Sequence, residues 1–159
     1  MIRINKKKAK FDILIQARLT STRLPGKVLK KIGNRTALKM LLDRLKKTKS
    51  VRNIVIILPK NKKNNFLQKY VKTLGYKTFR GSENNVLDRY YKASKKFNSE
   101  NIIRITSDCP FIDVATLNKM VEIFASLDYD YMSNIDPRTF PKGLDIEIFT
   151  FKTLKKSWS

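Results

Sequence analysis

Three cations fall within ten residues directly after a short aliphatic run: Arg18, Arg23 and Lys27, in the segment Ala17-Arg18-Leu19-Thr20-Ser21-Thr22-Arg23-Leu24-Pro25-Gly26-Lys27. The small hydroxyl residues between them, Ser21 and Thr22 among them, leave backbone N–H groups free to approach an anion. Guanidinium forks, an ammonium point charge and amide donors converging on oxygens are what a triphosphate requires. The segment is not a Walker loop, because Val28 follows Lys27 where that motif has Ser or Thr. By composition alone it is equally an ordinary basic surface loop.

A second candidate follows another aliphatic run, in Thr106-Ser107-Asp108-Cys109-Pro110. A lone aspartate there suits Mg²⁺ held against phosphate oxygens, since that ion takes one or two carboxylates and keeps several waters. Asp is also a common turn residue, so a plain capping role fits as well. In Gly143-Leu144-Asp145-Ile146-Glu147, side chains alternating with period two put Asp145 and Glu147 on one strand face. They read either as a metal- or hydroxyl-binding pair or as a solvated face. Glu83, Asp88 and Arg89 read as local helix pairs, and Cys109 as a small buried filler with no His to activate it.

The inventory excludes much else. The chain has 159 residues, no histidine and one cysteine, which removes histidine-based triads, His-ligated zinc, Cys-cluster metal sites and an internal disulfide. A reducing compartment, the cytoplasm, is the expected location. Ile54 to Leu58 is the longest purely aliphatic run, far short of the roughly 20 residues of a spanning helix. Lys6 to Lys8 ahead of Ile13-Leu14-Ile15 resemble a leader, but Asp12 and Gln16 bracket the apolar stretch. The formal charge is +22, and residues 1–80 carry 24 basic and 2 acidic side chains against 11 and 11 in the remainder. Such a basic half points to polyanionic partners, or to lysines that are simply solvated.

The elements that must position these residues alternate. Strands are expected at Phe11–Ala17, Arg52–Leu58, Tyr76–Phe79, Asn101–Thr106, Tyr129–Ser133 and Leu144–Phe149. Helices are expected around Ala37–Leu45, Phe66–Leu74 with Gly75 as C-cap, Val86–Tyr91, Leu117–Phe124 after an Asp113 N-cap, and Phe151–Trp158. Strands alternating with helices imply an α/β fold, a three-layer α/β/α sandwich with a mostly parallel Rossmann-like sheet. Ligands of such sheets bind outside the carboxyl ends of the strands, which singles out residues 17–31, 80–85 and 107–113.

Four ordered stretches resemble the acylneuraminate cytidylyltransferase family, in its spore-coat-polysaccharide SpsF-type branch. They are Ile15-Gln16-Ala17-Arg18 with Ser21 to Leu29; Arg80-Gly81-Ser82-Glu83 with Val86-Leu87-Asp88-Arg89-Tyr90; Arg104-Ile105-Thr106 with Asp108-Cys109-Pro110; and Pro137-Arg138-Thr139-Phe140-Pro141 with Gly143-Leu144-Asp145. The resemblance implies the nucleotide-diphospho-sugar transferase fold, one nucleotidyltransferase domain over residues 1–159, short at the C-terminus relative to the family. It also implies transfer of CMP from CTP to a sugar acid of nonulosonate or 3-deoxy-octulosonate type, with release of pyrophosphate, for surface polysaccharide or glycan assembly. Carried over by position, Ala17 and Arg18 face the nucleotide with Ser21 and Thr22, while Arg23 and Lys27 face its phosphates. Arg80 and Ser82 line the nucleotide side. Arg104, Asp145 and Glu147 lie on the substrate side, and Asp108 holds Mg²⁺. Arg18, Lys27 and Asp108 form the catalytic set, and a homodimer is a possible assembly. Two other readings compete: a short homologue that binds nucleotide without turnover, and a basic nucleic-acid-binding module. The second is weakened by the single aromatic, Phe11, in residues 1–50.

Overall fold

A computed structural model of the chain describes residues 9–21, 24–138 and 140–159. The strands and helices alternate as their hydrophobic periods require. β1 (Phe11–Gln16) leads through a 3₁₀ turn (Lys27–Leu29) to a small hairpin, β2 (Lys31–Ile32) with β3 (Arg35–Thr36), and then to α1 (Ala37–Leu45). β4 (Val51–Pro59), α2 (Asn65–Thr73), β5 (Lys77–Gly81), α3 (Val86–Lys96), β6 (Asn101–Thr106) and α4 (Val114–Ser126) follow. β7 (Tyr131–Ser133), β8 (Glu147–Thr150) and α5 (Phe151–Trp158) complete the described chain. The helix starts use local chemistry: Thr36, Asn85, Asp113 and Thr150 each accept a backbone N–H three residues on. Among the described residues no helix is long and apolar enough to cross a membrane.

Six strands form one sheet in the order β5-β4-β1-β6-β8-β7. The first four are mutually parallel, whereas β8 runs antiparallel to both β6 and β7. The central strands β1, β4 and β6 are buried on both faces. Ile13, Ile15, Ile56, Leu58, Ile103 and Ile105 point into one apolar cluster beneath α1, α2 and α4. Leu14, Val55, Ile57 and Ile102 point into the other, beneath Tyr90 and Ala93 of α3 and Leu154 of α5. This two-sided burial explains why the strands read as continuous aliphatic runs.

The topology has one reversal point. From β1 the chain adds β4 and β5 on one side, then crosses to add β6 on the other. The carboxyl ends of β1 and β6 therefore stand side by side, in register from Phe11↔Asn101 to Gln16↔Thr106. Their connections leave in opposite directions, which opens a crevice between them.

The small β2–β3 hairpin has no counterpart among the expected strands, and two expected strands need correction. The strand expected at Tyr129–Ser133 begins at Tyr131. The one expected at Leu144–Phe149 occupies Glu147–Thr150, because buried Asn134 interposes its side chain ahead of Glu147. Its Nδ2 donates to the Leu144 carbonyl at 2.8 Å and its Oδ1 accepts from Ile146 N at 2.9 Å. An amide side chain thus replaces one rung of the ladder, and Asp145 is left outside the strand. Asn134→Ala leaves both backbone groups without that partner and is expected to lower unfolding free energy by about 1–3 kcal/mol. Urea denaturation measures this directly.

Candidate functional site

The loop after β1 is shaped by its own turns and by one buried amide. Asn64, with no exposed surface, accepts a hydrogen bond from Leu19 N at 3.0 Å through Oδ1. Gly26 donates to the Leu19 carbonyl at 3.0 Å from a left-handed conformation, φ 65°, that favours glycine. The 3₁₀ turn that follows buries Val28 in the core and thereby directs the neighbouring Lys27 outward. Across the crevice, Ser107 N donates to the Gln16 carbonyl at 3.1 Å, and Cys109 N closes a turn on Thr106 O at 3.1 Å. Asp108 lies on that turn and meets Lys27 in a direct ion pair, 81 residues apart in sequence.

A cleft of about 670 Å³ opens over this pair. Ala17, Arg18, Ser21, Lys27, Asp108 and Asp145 all line it. Thr22 and Arg23 lie outside the described residues. On Asp108, burial pushes the pKa up, but hydrogen bonds involving Lys27 and Thr106, with the Lys27 charge, outweigh it and hold it below the usual carboxylate value. Cys109 is buried, and its thiol is pushed up by burial and by the nearby charges of both Asp108 and Asp145. Asp145 itself is held by Arg138, whose Nη1 donates to its Oδ1 at 2.8 Å.

The other sequence-predicted residues lie elsewhere. Arg80 is spread over neutral acceptors: Asn65 Oδ1 and the Asn61 carbonyl, both at 2.5 Å, with Gln68 Oε1 at 3.3 Å. It ties β5 to the β4–α2 connection and borders a separate, shallower depression. Ser82 Oγ accepts from Asn85 N at 3.0 Å, shaping the turn into α3. Arg104 donates to Glu147 Oε2 at 2.6 Å and lies 5.8 Å from the centroid of the buried Tyr90 ring. Both line a more apolar pocket of about 360 Å³ that shares Val86 with the main cleft. The expected pairing of Asp145 with Glu147 on one strand face is therefore not formed. Asp145 precedes β8 and pairs with Arg138, whereas Glu147 lies within β8 and pairs with Arg104.

The lining residues not anticipated as site residues include Gln16, Arg89, Arg138 and Lys142. Gln16 Oε1 is buried without a hydrogen-bond partner among the described residues. Arg89 is only 3% exposed, although a helical pattern built on Val86, Leu87, Tyr90 and Tyr91 places it on the solvated side. The signal that could have found it is Gly81. An added Cβ there would lie 2.9 Å from Phe79 Cε1 and 3.0 Å from Arg89 Cγ, so only glycine lets this arginine pack against β5.

The cationic cleft, lined also by Asp108 and Asp145, lies at the topological switch point of an α/β/α sandwich, where ligands of such sheets bind. A sequence profile of the cytidylyltransferase family matches residues 13–159, and the chain belongs to that family. A protein of Methanocaldococcus jannaschii, MJ1063, is 41% identical over 145 residues, covering 91% of this chain and 58% of its own length. The spore coat polysaccharide biosynthesis protein SpsF of Bacillus subtilis is 38% identical over 131 residues, covering 77% of this chain and 55% of its own. The chain thus spans less than three fifths of the length of these relatives. A cytidylyltransferase from Leptospira borgpetersenii superposes with TM-score 0.89 at 41% identity, over 93% of this chain and 63% of that one. A CMP:2-keto-3-deoxy-manno-octonic acid synthetase complexed with CTP shares the fold, with TM-score 0.77 at 16% identity over 94% of this chain and 78% of that one.

Proposed function

We propose that this chain binds CTP in the cleft between the 17–29 loop and Asp108 and transfers CMP to a sugar acid, releasing pyrophosphate, in surface polysaccharide or glycan assembly. The observation that carries the reading is the meeting of Lys27 with Asp108 at the β1/β6 crevice, beside Arg18. Nucleotidyl transfer needs little covalent help from a protein; it depends on positioning and on neutralising charge. No histidine is required. Lys27 and Asp108 meet in a half-exposed pair, with side-chain exposures of 28% and 43%. A polyphosphate would compete for the ammonium, and the Asp108 carboxylate would then be free to hold a divalent cation.

The donor set fits Mg²⁺. Asp108 and Asp145 supply hard carboxylate oxygens to one cleft, and both are near enough to Cys109 to raise its thiol pKa. Among the described residues no group of three or more acidic, Cys or His side chains gathers. Mg²⁺ takes one or two carboxylates, keeps several waters and completes its shell with phosphate oxygens. When bound, such an ion neutralises charge on the phosphates and lowers the pKa of a coordinated hydroxyl. Arg18 and Lys27 hold the phosphate oxygens as negative charge grows on the departing pyrophosphate. Arg138 and Lys142, which also line the cleft, offer cations to the carboxylate of an acid acceptor.

The test is pyrophosphate release from CTP with Mg²⁺ across a panel of nonulosonate and 3-deoxy-octulosonate acids. Release with at least one acid and CTP, above that with ATP, GTP or UTP, is expected. A folded chain giving no release with any of them contradicts the transfer reading.

A further inference from the structure

Among the described residues Arg89 is a buried cation with no ion pair. It is 3% exposed, on the second turn of α3, and its stem packs over Gly81. Its sequence neighbour Asp88 is engaged by Lys92 Nζ at 3.0 Å and by Trp158 Nε1 at 3.1 Å. The Glu83 carboxylate accepts instead from Asn61 Nδ2, at 2.8 and 2.9 Å. Among the described residues, what remains for Arg89 is one long bond, Nη2 to the Glu83 carbonyl at 3.4 Å, and its Nε has no partner. Burial, with the nearby charge of Arg18, outweighs the opposing charges of Tyr90 and Glu83 and pushes the guanidinium's pKa below its ordinary value. It stays charged at neutral pH nonetheless.

A buried, unpaired guanidinium destabilises the fold that holds it, and such violations concentrate where a ligand uses them. Arg89 and Arg18 line the same cleft and repel each other. Two guanidinia call for more than one negative charge. A base or ribose supplies none, and a single carboxylate supplies one. We infer that Arg89 is a polyphosphate-binding residue: with Arg18 it forms a two-arginine clamp on the phosphate chain of the nucleotide, in the cleft that Lys27 also lines. This rests on the cleft being the nucleotide site, as proposed above.

Calorimetry on the full chain without metal tests it, with inorganic tripolyphosphate, CTP, CMP and cytidine against wild type, Arg89→Met and Arg89→Lys. Arg89→Met is expected to lose about ten-fold or more in affinity for tripolyphosphate and CTP, less for CMP and nothing for cytidine. Arg89→Lys keeps the charge without the fork and should fall between. The unliganded melting temperature of Arg89→Met should stay level or rise, because an apolar chain replaces an unpaired charge. Tripolyphosphate affinity unchanged in both variants overturns the assignment. So does an equal loss across cytidine, CMP and CTP, which would place Arg89 at the nucleoside. Wild type that binds tripolyphosphate through Arg89 but shows no preference for CTP supports the clamp while contradicting the CTP reading.

Discussion

Asp108→Asn is expected to reduce pyrophosphate release from CTP by about a hundred- to a thousand-fold, the scale seen when one preorganised electrostatic group is removed from a reacting centre. The fold should hardly notice. The Lys27–Asp108 pair is half exposed, and such pairs contribute at most about 1 kcal/mol. The variant also has a signed signature in binding. Without divalent metal, Asp108→Asn should bind CTP at least as tightly as wild type, because Lys27 is no longer occupied and one negative charge has left the cleft. With Mg²⁺, wild type should gain affinity and the variant should not. Calorimetry with EDTA and with Mg²⁺ separates the two, and a wild type indifferent to Mg²⁺ would remove Asp108 from the proposed metal site.

Asp12→Ala should have the largest effect on stability. Asp12 is 1% exposed at the start of β1 and receives bonds on both oxygens: Arg52 Nε at 3.1 Å, Arg52 Nη2 at 2.5 Å, Asn53 Nδ2 at 2.8 Å and Ser99 Oγ at 2.6 Å. One carboxylate thereby joins β1, β4 and the α3–β6 connection. Removing one member of a buried pair costs about 3–5 kcal/mol. The lower end applies here, since the Arg52 side chain keeps 37% exposure and still donates to Phe97 O and Asn98 O. Burial pushes the Asp12 pKa up, yet hydrogen bonds from Arg52, Ser99 and Asn53 outweigh it and leave it below 3.8. A carboxylate depressed in the folded state stabilises it above the unfolded pKa, about 3.9, and loses that contribution as pH falls through the lower folded value. Melting temperature should therefore drop below about pH 4 in wild type, and Asp12→Asn should flatten that drop. Equal acid sensitivity in both would contradict the assignment.

What the sequence reveals and what it hides divide along contact range. Lys27 and Asp108 are legible because each lies in the loop that leaves an aliphatic strand, and the sheet rule brings strand ends together whatever the intervening chain does. The helices are legible from their apolar spacing. Arg80, Arg104 and Glu147 carry suitable chemistry, but the neighbours that occupy them, Asn65, Tyr90 and one another, come from distant segments. Their saturation appears only once the chain is folded. Asp145 is displaced from its expected strand by Asn134, a side chain acting as backbone, which no hydropathy period encodes. Arg89 inverts its helix pattern: it is buried while Val86 and Leu87 are each 39% exposed. Gly81, on a different element, is what permits that inversion.

A structure of the chain grown with CTP and Mg²⁺ tests the central claim most directly. A triphosphate is expected across the β1/β6 crevice, its oxygens on Arg18 and Lys27, with the Lys27–Asp108 contact opened and Asp108 turned to a metal ion. A nucleotide seated in the Arg104–Glu147 pocket, or on the Arg80 surface with Lys27 still on Asp108, would contradict it.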